Sequence, residues 1–269
     1  MSTNIYRYEV RVRWKSVLIW TFALASLLFI FMALFPSFSA EAAAMNEMVA
    51  NFPPALKSAF GISNLDLSSV LGYFSFCMVF CQLCFAIQAS NYGFGLVSVE
   101  ENEMTADFLL TKPVSRSNVL RSKILAALTS LLATDVLFWL MSYASIVLFR
   151  EGKPYELKIL LLLLGSVVVF QLFFFFVALA ISQLVRRVRS VTPYSLGLAF
   201  GAYVLNAFAG IFGDVKLEYL TPFKHFDTAA IVLDGHYNLP LVLLEVGVII
   251  LALGFTWLRY ARRDIPTSV

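Results

Sequence analysis

Long apolar runs limit this chain to a membrane fold more firmly than any other feature of its sequence. A helix needs about 20 mostly apolar residues to cross a bilayer, and six runs of that kind lie near residues 16–35, 68–90, 124–149, 159–185, 191–213 and 239–258. Helices and closed β-barrels are the only spanning structures, because every backbone polar group in lipid needs an internal partner. Barrel strands alternate apolar with polar residues, whereas runs such as LLLLGSVVVFQLFFFFVALAIS do not. We therefore predict a single all-α, polytopic membrane domain over residues 1–269, with six transmembrane helices.

The basic residues predict how the chain is oriented. Only 14% of the residues are charged, and Lys and Arg in short loops favour the cytoplasmic side of a membrane. With a cytoplasmic N-terminus, fourteen of the 20 Lys and Arg residues lie on that side. We therefore predict a multi-pass protein of the plasma (inner) membrane with both termini cytoplasmic. The net charge of +3 reflects basic residues that meet anionic lipid at membrane ends, so we expect no nucleic-acid partner.

A charged segment, ENEMTADFLLTKPVSR, separates the second and third apolar runs. Ser98 and Glu101 fit a capping box, and Pro113 ends the helix because the residue before a proline avoids helical geometry, which predicts a cytoplasmic helix over residues 99–112. At about 100° per residue, one apolar face holds Val99, Ala106, Leu109 and Leu110, another holds Met104 and Phe108, and Glu100, Glu103 and Asp107 form an acidic strip between them. Two apolar faces indicate either a second neighbour in the cytoplasm or a solvated connector that folds back onto the membrane domain.

Three further segments lie outside the predicted spans. Residues 1–15 alternate Tyr and Val with charged residues in a strand-like pattern, but a lone strand is unstable, so we favour an interfacial helix. The extracellular residues 37–66 predict two short helices, and residues 214–238 predict a structured loop that dips toward the bilayer or caps it. We expect His225 and His236, in this loop, to be solvated or interfacial. Cys77, Cys81 and Cys84 follow helical spacing and predict packing on one face, so we predict no metal site.

Polar residues within the predicted spans are candidates for function, because charge is costly in lipid. Asp135 lies near the centre of the third span, with Ser142 two turns later on the same face, and Glu245 lies about two turns into the sixth span. Hydrogen-bonding groups from other spans come from Gln82, Gln88, Gln171 and Asn206. These residues either join helices through hydrogen bonds or contact a transported molecule.

The segment EENEMTADFLLTKPVSRSNVLRSKILAAL resembles the loop between the second and third spans of type 2 ABC transporter permeases. That loop has an acidic cluster, a Thr, a Leu-Leu pair, Pro-Val-Ser-Arg and a Lys before the third span. The resemblance extends to the six-span plan, to LTPFKHFD in the last outer loop and to the Arg-Arg-Asp of RYARRDI.

The resemblance implies that residues 99–112 are a coupling helix that docks on a separate ATP-hydrolysing subunit. It also implies that residues 1–15 form a connecting helix that contacts the same subunit. The implied contact residues are Glu100, Glu101, Glu103, Met104, Asp107, Phe108, Leu109 and Arg116 on the first element, and Arg7, Arg11 and Arg13 on the second.

The chain lacks the phosphate-cradling pattern G-x-x-x-x-G-K-[ST], since its Gly152-Lys153 pair is followed by Pro154. We therefore predict no enzymatic activity and no cofactor on this chain, with ATP and Mg²⁺ bound by the partner subunit. The resemblance implies an exporter permease that acts with a second permease, identical or related, and with two ATPase subunits. The alternative is a proton-coupled secondary transporter that uses Asp135 and Glu245. That class often shows inverted repeats, and the two halves of this sequence show no convincing repeat.

Overall fold

The computed structural model describes residues 3–53, 56–57, 65–102, 115–185, 188, 190–209 and 219–262. Regular structure in these ranges is helical throughout, which confirms the predicted all-α class. The helices are α1 (Thr3–Ala33), α2 (Phe35–Ala40), α3 (Ala42–Ala50), α4 (Val70–Asn102), α5 (Arg116–Phe149), α6 (Leu157–Leu184), α7 (Val191–Ala209), α8 (Pro222–His225), α9 (Thr228–Asp234) and α10 (Leu239–Arg262).

Five stretches of the described chain are long and apolar enough to cross a membrane. They are α1 together with α2, then α4, α5, α6 and α10, and they correspond to five of the six predicted spans. The remaining predicted span is helical from Val191 to Ala209, but Pro193, Tyr194 and Asn206 dilute its apolar character, and residues 210–218 lie outside the described ranges. The chain is therefore a multi-pass membrane protein, and its fifth span, predicted over residues 191–213, stays a prediction.

The long helices alternate in direction along the chain. Contacts near both ends of the bundle establish this for α1, α4 and α5. The pairs Tyr6–Thr129 and Phe29–Phe149 show that α1 and α5 are parallel. The hydrogen bonds of Tyr92 with Ser16 and of Tyr73 with the Phe31 carbonyl show that α4 and α1 are antiparallel. The Arg121 guanidinium near the start of α5 lies 4.8 Å from the ring centroid of Trp257 near the end of α10. Thr3 and Arg262 consequently lie at the same end of the bundle, which we call the termini end. The short helices α2, α3, α8 and α9 lie at the opposite end, which we call the loop end.

Local sequence signals shape the two short helices that precede α10. Pro222 is the first residue of α8, a position where its missing N–H costs nothing. The Asp227 side chain accepts hydrogen bonds from the N–H groups of Ala229 and Ala230 and so caps α9. Gly235 ends α9 with φ of 67°, a left-handed conformation that glycine adopts without strain. These signals determine where α8 begins and where α9 begins and ends.

Two predicted boundaries are wrong. Residues 3–15 are helical, as favoured over a strand, but they continue without a break into the first span, because contacts to α5 hold α1 along its length. No helix begins at Val99, since α4 continues through the predicted cap Ser98 to Asn102 and no proline interrupts it. The rest of the predicted coupling helix falls within residues 103–114, outside the described ranges.

Candidate functional site

The predicted coupling segment connects two long helices at the termini end. Its first residues, Glu100 and Glu101, lie in the last turn of α4, and Arg116 is the first residue of α5. The predicted contacts Glu103, Met104, Asp107, Phe108 and Leu109 lie outside the described ranges. The segment is therefore joined along the chain to α4 on one side and to α5 on the other.

The three arginines predicted on the N-terminal element have different surroundings. Arg7 and Arg11 are exposed on α1, whereas Arg13 is half-buried. Arg13 forms an ion pair with Glu9 one turn earlier, an i,i+4 spacing that brings side chains together on a helix. Arg7 and Arg11 are thus the accessible guanidinium groups of the three.

A buried lysine joins three helices at the termini end. The Lys123 Nζ of α5 donates to the Leu96 carbonyl of α4 at 2.9 Å and lies 3.5 Å from Glu9 Oε1 of α1. The Lys123 side chain is only 4% exposed. Because a charge removed from water must be paired and hydrogen-bonded, Glu9 and the Leu96 carbonyl stabilise Lys123 in this position. We call Glu9, Arg13, Leu96 and Lys123 the basal node.

Sequence reasoning missed the basal node. It assigned Lys123 only to the cytoplasmic charge balance and did not consider Glu9. The available signal was Glu9 itself, the one acid among the basic residues of IYRYEVRVRWK, placed one helical turn before Arg13.

The predicted intramembrane candidates on α5 and α6 are buried. Asp135 is 1% exposed, and its Oδ1 has no hydrogen-bond partner among the described residues. Ser142 Oγ and both side-chain amide atoms of Gln171 also have no hydrogen-bond partner among the described residues. Asp135 and Gln171 each lie roughly 21 Å along their helix from the loop end, at about 1.5 Å per residue. Two buried polar groups therefore occupy a similar depth near the middle of the bundle.

Two further candidates lie on α4 and α7. Gln88 of α4 donates from Nε2 to Thr134 Oγ1 of α5 at 2.9 Å, next to Asp135 in the sequence. Asn206 of α7 is also buried. A side-chain hydrogen bond thus joins α4 to α5 within their apolar stretches, where such hydrogen bonds hold membrane helices together.

Glu245 pairs with a histidine rather than with Asp135. Its Oε2 lies 3.0 Å from His225 Nδ1, and both side chains are buried. The solvated or interfacial environment predicted for His225 is therefore wrong, because Phe223 and Phe226 fold inward and bury this segment. No hydrogen bond or ion pair joins Asp135 to Glu245 in the described part of the chain.

The cysteines of α4 lie in the apolar core, where Cys77 and Cys81 are buried and Cys84 is half-buried. All three are free thiols. Within the ranges that the structure covers, no group of three or more His, Cys, Asp or Glu side chains could hold a metal ion.

One protein family covers nearly the whole chain. A family model described as ABC-2 family transporter protein matches residues 3–265. The chain belongs to the ABC-2 transporter family. No curated protein and no solved structure gave a match. As an ABC-2 membrane component the chain has the role of a permease, and permeases of this family generally work with ATP-binding subunits.

In this ABC-2 permease, residues 221–235 fold back among the membrane helices, and we call them the re-entrant plug. Gln82 of α4, a predicted intramembrane candidate, donates to the Phe226 carbonyl at 2.9 Å. Gln82 lies roughly 18 Å along α4 from Val70. The Phe223 ring packs against Phe170 of α6 with 5.0 Å between ring centroids. The plug is therefore held between α4 and α6, three to four helical turns into α4 from its loop-end residue Val70.

Proposed function

We propose that this permease exports its cargo across the plasma membrane in a complex with a second permease, identical or related, and two ATPase subunits. The termini end faces the cytoplasm, and ATP and Mg²⁺ bind to the ATPase subunits. Closure of those subunits pushes on residues 99–112 through Glu100, Glu101, Glu103, Met104, Asp107, Phe108, Leu109 and Arg116, with Arg7, Arg11 and Arg13 as additional contacts. The pathway lies between the two permeases.

The observation that carries this proposal is the basal node. Lys123 joins α4 to α5 just beyond the two ends of the charged segment, and Glu9 joins α1 to Lys123. A hydrogen bond to a charged group contributes about 1.5–3 kcal/mol, so these helices resist separation. A push on the segment would therefore reach α1, α4 and α5 together, and α4 would pass it on to α6, which it approaches closely at Gly93.

Co-purification tests the docking step. The permease and the ATPase encoded beside it would be expressed together, with only the permease tagged. Phe108→Ala removes an apolar contact and Glu101→Lys reverses a charge, so we expect both to reduce recovery of the ATPase. Matched controls are Phe22→Ala on the exposed face of α1 and Glu156→Lys at the loop end. Unchanged recovery with both test variants would remove the coupling assignment.

A second candidate function is proton-coupled transport. It is favoured by the burial of Asp135, whose Oδ1 lacks a hydrogen-bond partner among the described residues, because intramembrane acids often belong to proton pathways. The two candidates differ in their energy source. Transport without ATP that stops when the pH gradient is dissipated would favour the second.

A further inference from the structure

Neutral contacts hold the re-entrant plug on three sides. Thr228 donates to the Ser75 carbonyl of α4, and Thr221 donates to the Ala202 carbonyl of α7, each at 2.9 Å. The Phe223 ring packs on α6. Hydroxyl–carbonyl bonds and phenyl contacts do not change charge with pH, so these three sides hold the plug equally in acid and in alkali.

The contact with α10 is different because both partners can gain or lose a proton. His225 and Glu245 meet at 3.0 Å, with side chains that are 2% and 0% exposed. Their outer atoms, His225 Nε2 and Glu245 Oε1, have no hydrogen-bond partner in the described part of the chain. We propose that His225 and Glu245 form a proton-binding site that locks the re-entrant plug against α10.

The surroundings supply no second ion pair to this site among the described residues. Lys224 pairs with Asp227 at 2.7 Å, and the nearby Tyr237 donates its hydroxyl to the Leu162 carbonyl. The other titratable or charged groups on the helices packed against α8 and α10 are Arg116, Arg121, Lys123, Asp135 and Tyr143 on α5, Lys158 on α6, Tyr194 and Tyr203 on α7, and Arg259, Tyr260 and Arg262 on α10.

Among the described side chains, none of those groups forms a hydrogen bond or ion pair with His225 or Glu245. Tyr203 faces the plug through its ring, which packs on Phe223. Lys158 is exposed at the loop end, and Arg259 lies roughly 21 Å along α10 from Glu245. The net charge of the site is therefore decided by the protons on His225 and Glu245 themselves.

The number of protons on the His225–Glu245 pair determines whether the plug is held against α10. With a neutral imidazole that donates Nδ1–H to the carboxylate, the buried pair carries a net charge of −1. One added proton makes the pair neutral overall, either as imidazolium with carboxylate or as imidazole with carboxylic acid. Burying a net charge costs far more than burying a neutral, hydrogen-bonded pair. The locked plug therefore holds the added proton, and its release to water leaves a carboxylate that favours hydration.

The lock should consequently be present at lower pH and weaken as pH rises. Only the consequence of the lock for transport rests on the proposed function. The proton-dependent position of the plug is a property of this chain alone, so its test needs neither an ATPase nor a cargo.

Two spin labels can measure the plug position in the full chain. Cysteines replacing Leu233 on α9 and Leu243 on α10, both exposed, would be labelled in a background with Cys77, Cys81 and Cys84 changed to Ala. Distances between labels would be recorded in nanodiscs of neutral lipid from about pH 5 to about pH 9, a range that includes histidine titration. We expect a single locked distance in acid and a second, longer distance in alkali. For a single proton, the ratio of the two populations changes by at most about tenfold per pH unit.

Two variants assign the response to this site. Glu245→Gln keeps a carbonyl oxygen that can accept from His225 but cannot become an anion, so the locked distance should persist at high pH. Lys224→Gln breaks the neighbouring ion pair and should leave the pH response unchanged. A wild-type distance that does not vary with pH would overturn the proposal. An equal pH response in wild type and Glu245→Gln would also overturn it, because another group would then control the plug.

Discussion

Replacing Lys123 with methionine tests whether the basal node joins α1, α4 and α5. The Lys123 ammonium makes a 2.9 Å hydrogen bond to the Leu96 carbonyl and lies 3.5 Å from the Glu9 carboxylate. Methionine is unbranched and flexible, so it fills most of the same space without the charge. The change therefore removes the polar connection and retains most of the packing.

The expected loss follows from what each partner keeps. A charge-assisted hydrogen bond contributes about 1.5–3 kcal/mol. Glu9 keeps its ion pair with Arg13, so the larger penalty of about 3–5 kcal/mol for stranding a buried charge does not apply in full. We expect the free energy of unfolding to fall by about 2 kcal/mol. At roughly 2–4 °C per kcal/mol for a large domain, this lowers the Tm by about 4–8 °C.

Thermal unfolding of the purified permease in nanodiscs measures this loss, and Lys158→Met is the matched control because Lys158 is exposed at the loop end. The double variant Glu9→Gln with Lys123→Met should lose less than the sum of the single losses, since both changes remove the same contact. A Lys123→Met Tm equal to that of Lys158→Met, or additive losses in the double variant, would refute the node.

Two further predictions concern packing and the intramembrane acid. Gly93→Ala should lower the Tm by more than Lys123→Met, because an added Cβ meets the Phe175 carbonyl and lies 2.8 Å from the Ala178 Cβ. Gly197→Ala is the control, since an added Cβ there has no neighbour within 4 Å. It should stabilise its helix by about 0.5–1 kcal/mol. Equal Tm values for these two variants would contradict the close approach of α4 and α6. Asp135→Asn should preserve ATP-dependent transport in proteoliposomes, because the amide keeps the shape of the side chain and the main proposal gives Asp135 no proton to carry. Loss of all transport in this variant, together with wild-type transport that needs a pH gradient and no ATP, would instead support the proton-coupled alternative.

Apolar length was a strong guide to the fold because a single helix in lipid satisfies its own backbone. The sequence therefore predicted the bounds of α6 and α10 to within four residues, whereas α4 ends twelve residues later and α5 begins eight residues earlier than predicted. It failed where a helix continued past an apparent signal: Ser98 and Glu101 form a capping pattern, yet α4 already supplies the backbone hydrogen bonds there. Such a local pattern cannot reveal that the preceding turn is helical.

Long-range contacts explain the other misses. Lys123 and Glu9 are far apart in sequence, and their pairing depends on the parallel packing of α1 on α5. His225 was predicted to be solvated or interfacial because it lies in an outer loop, but Phe223 and Phe226 are buried beside it and His225 pairs with Glu245. The apolar flanks of PFKHF and an acid without a partner in the last span were the available signals.

The central claim is that a separate ATPase acts on this permease through the segment between α4 and α5. The most direct measurement is ATP turnover by the purified permease–ATPase complex in nanodiscs, compared for wild type, Glu101→Lys, Phe108→Ala and the controls Glu156→Lys and Phe22→Ala. The account predicts that the first two variants change turnover per complex while the controls match wild type. Turnover identical to wild type in both segment variants would contradict it.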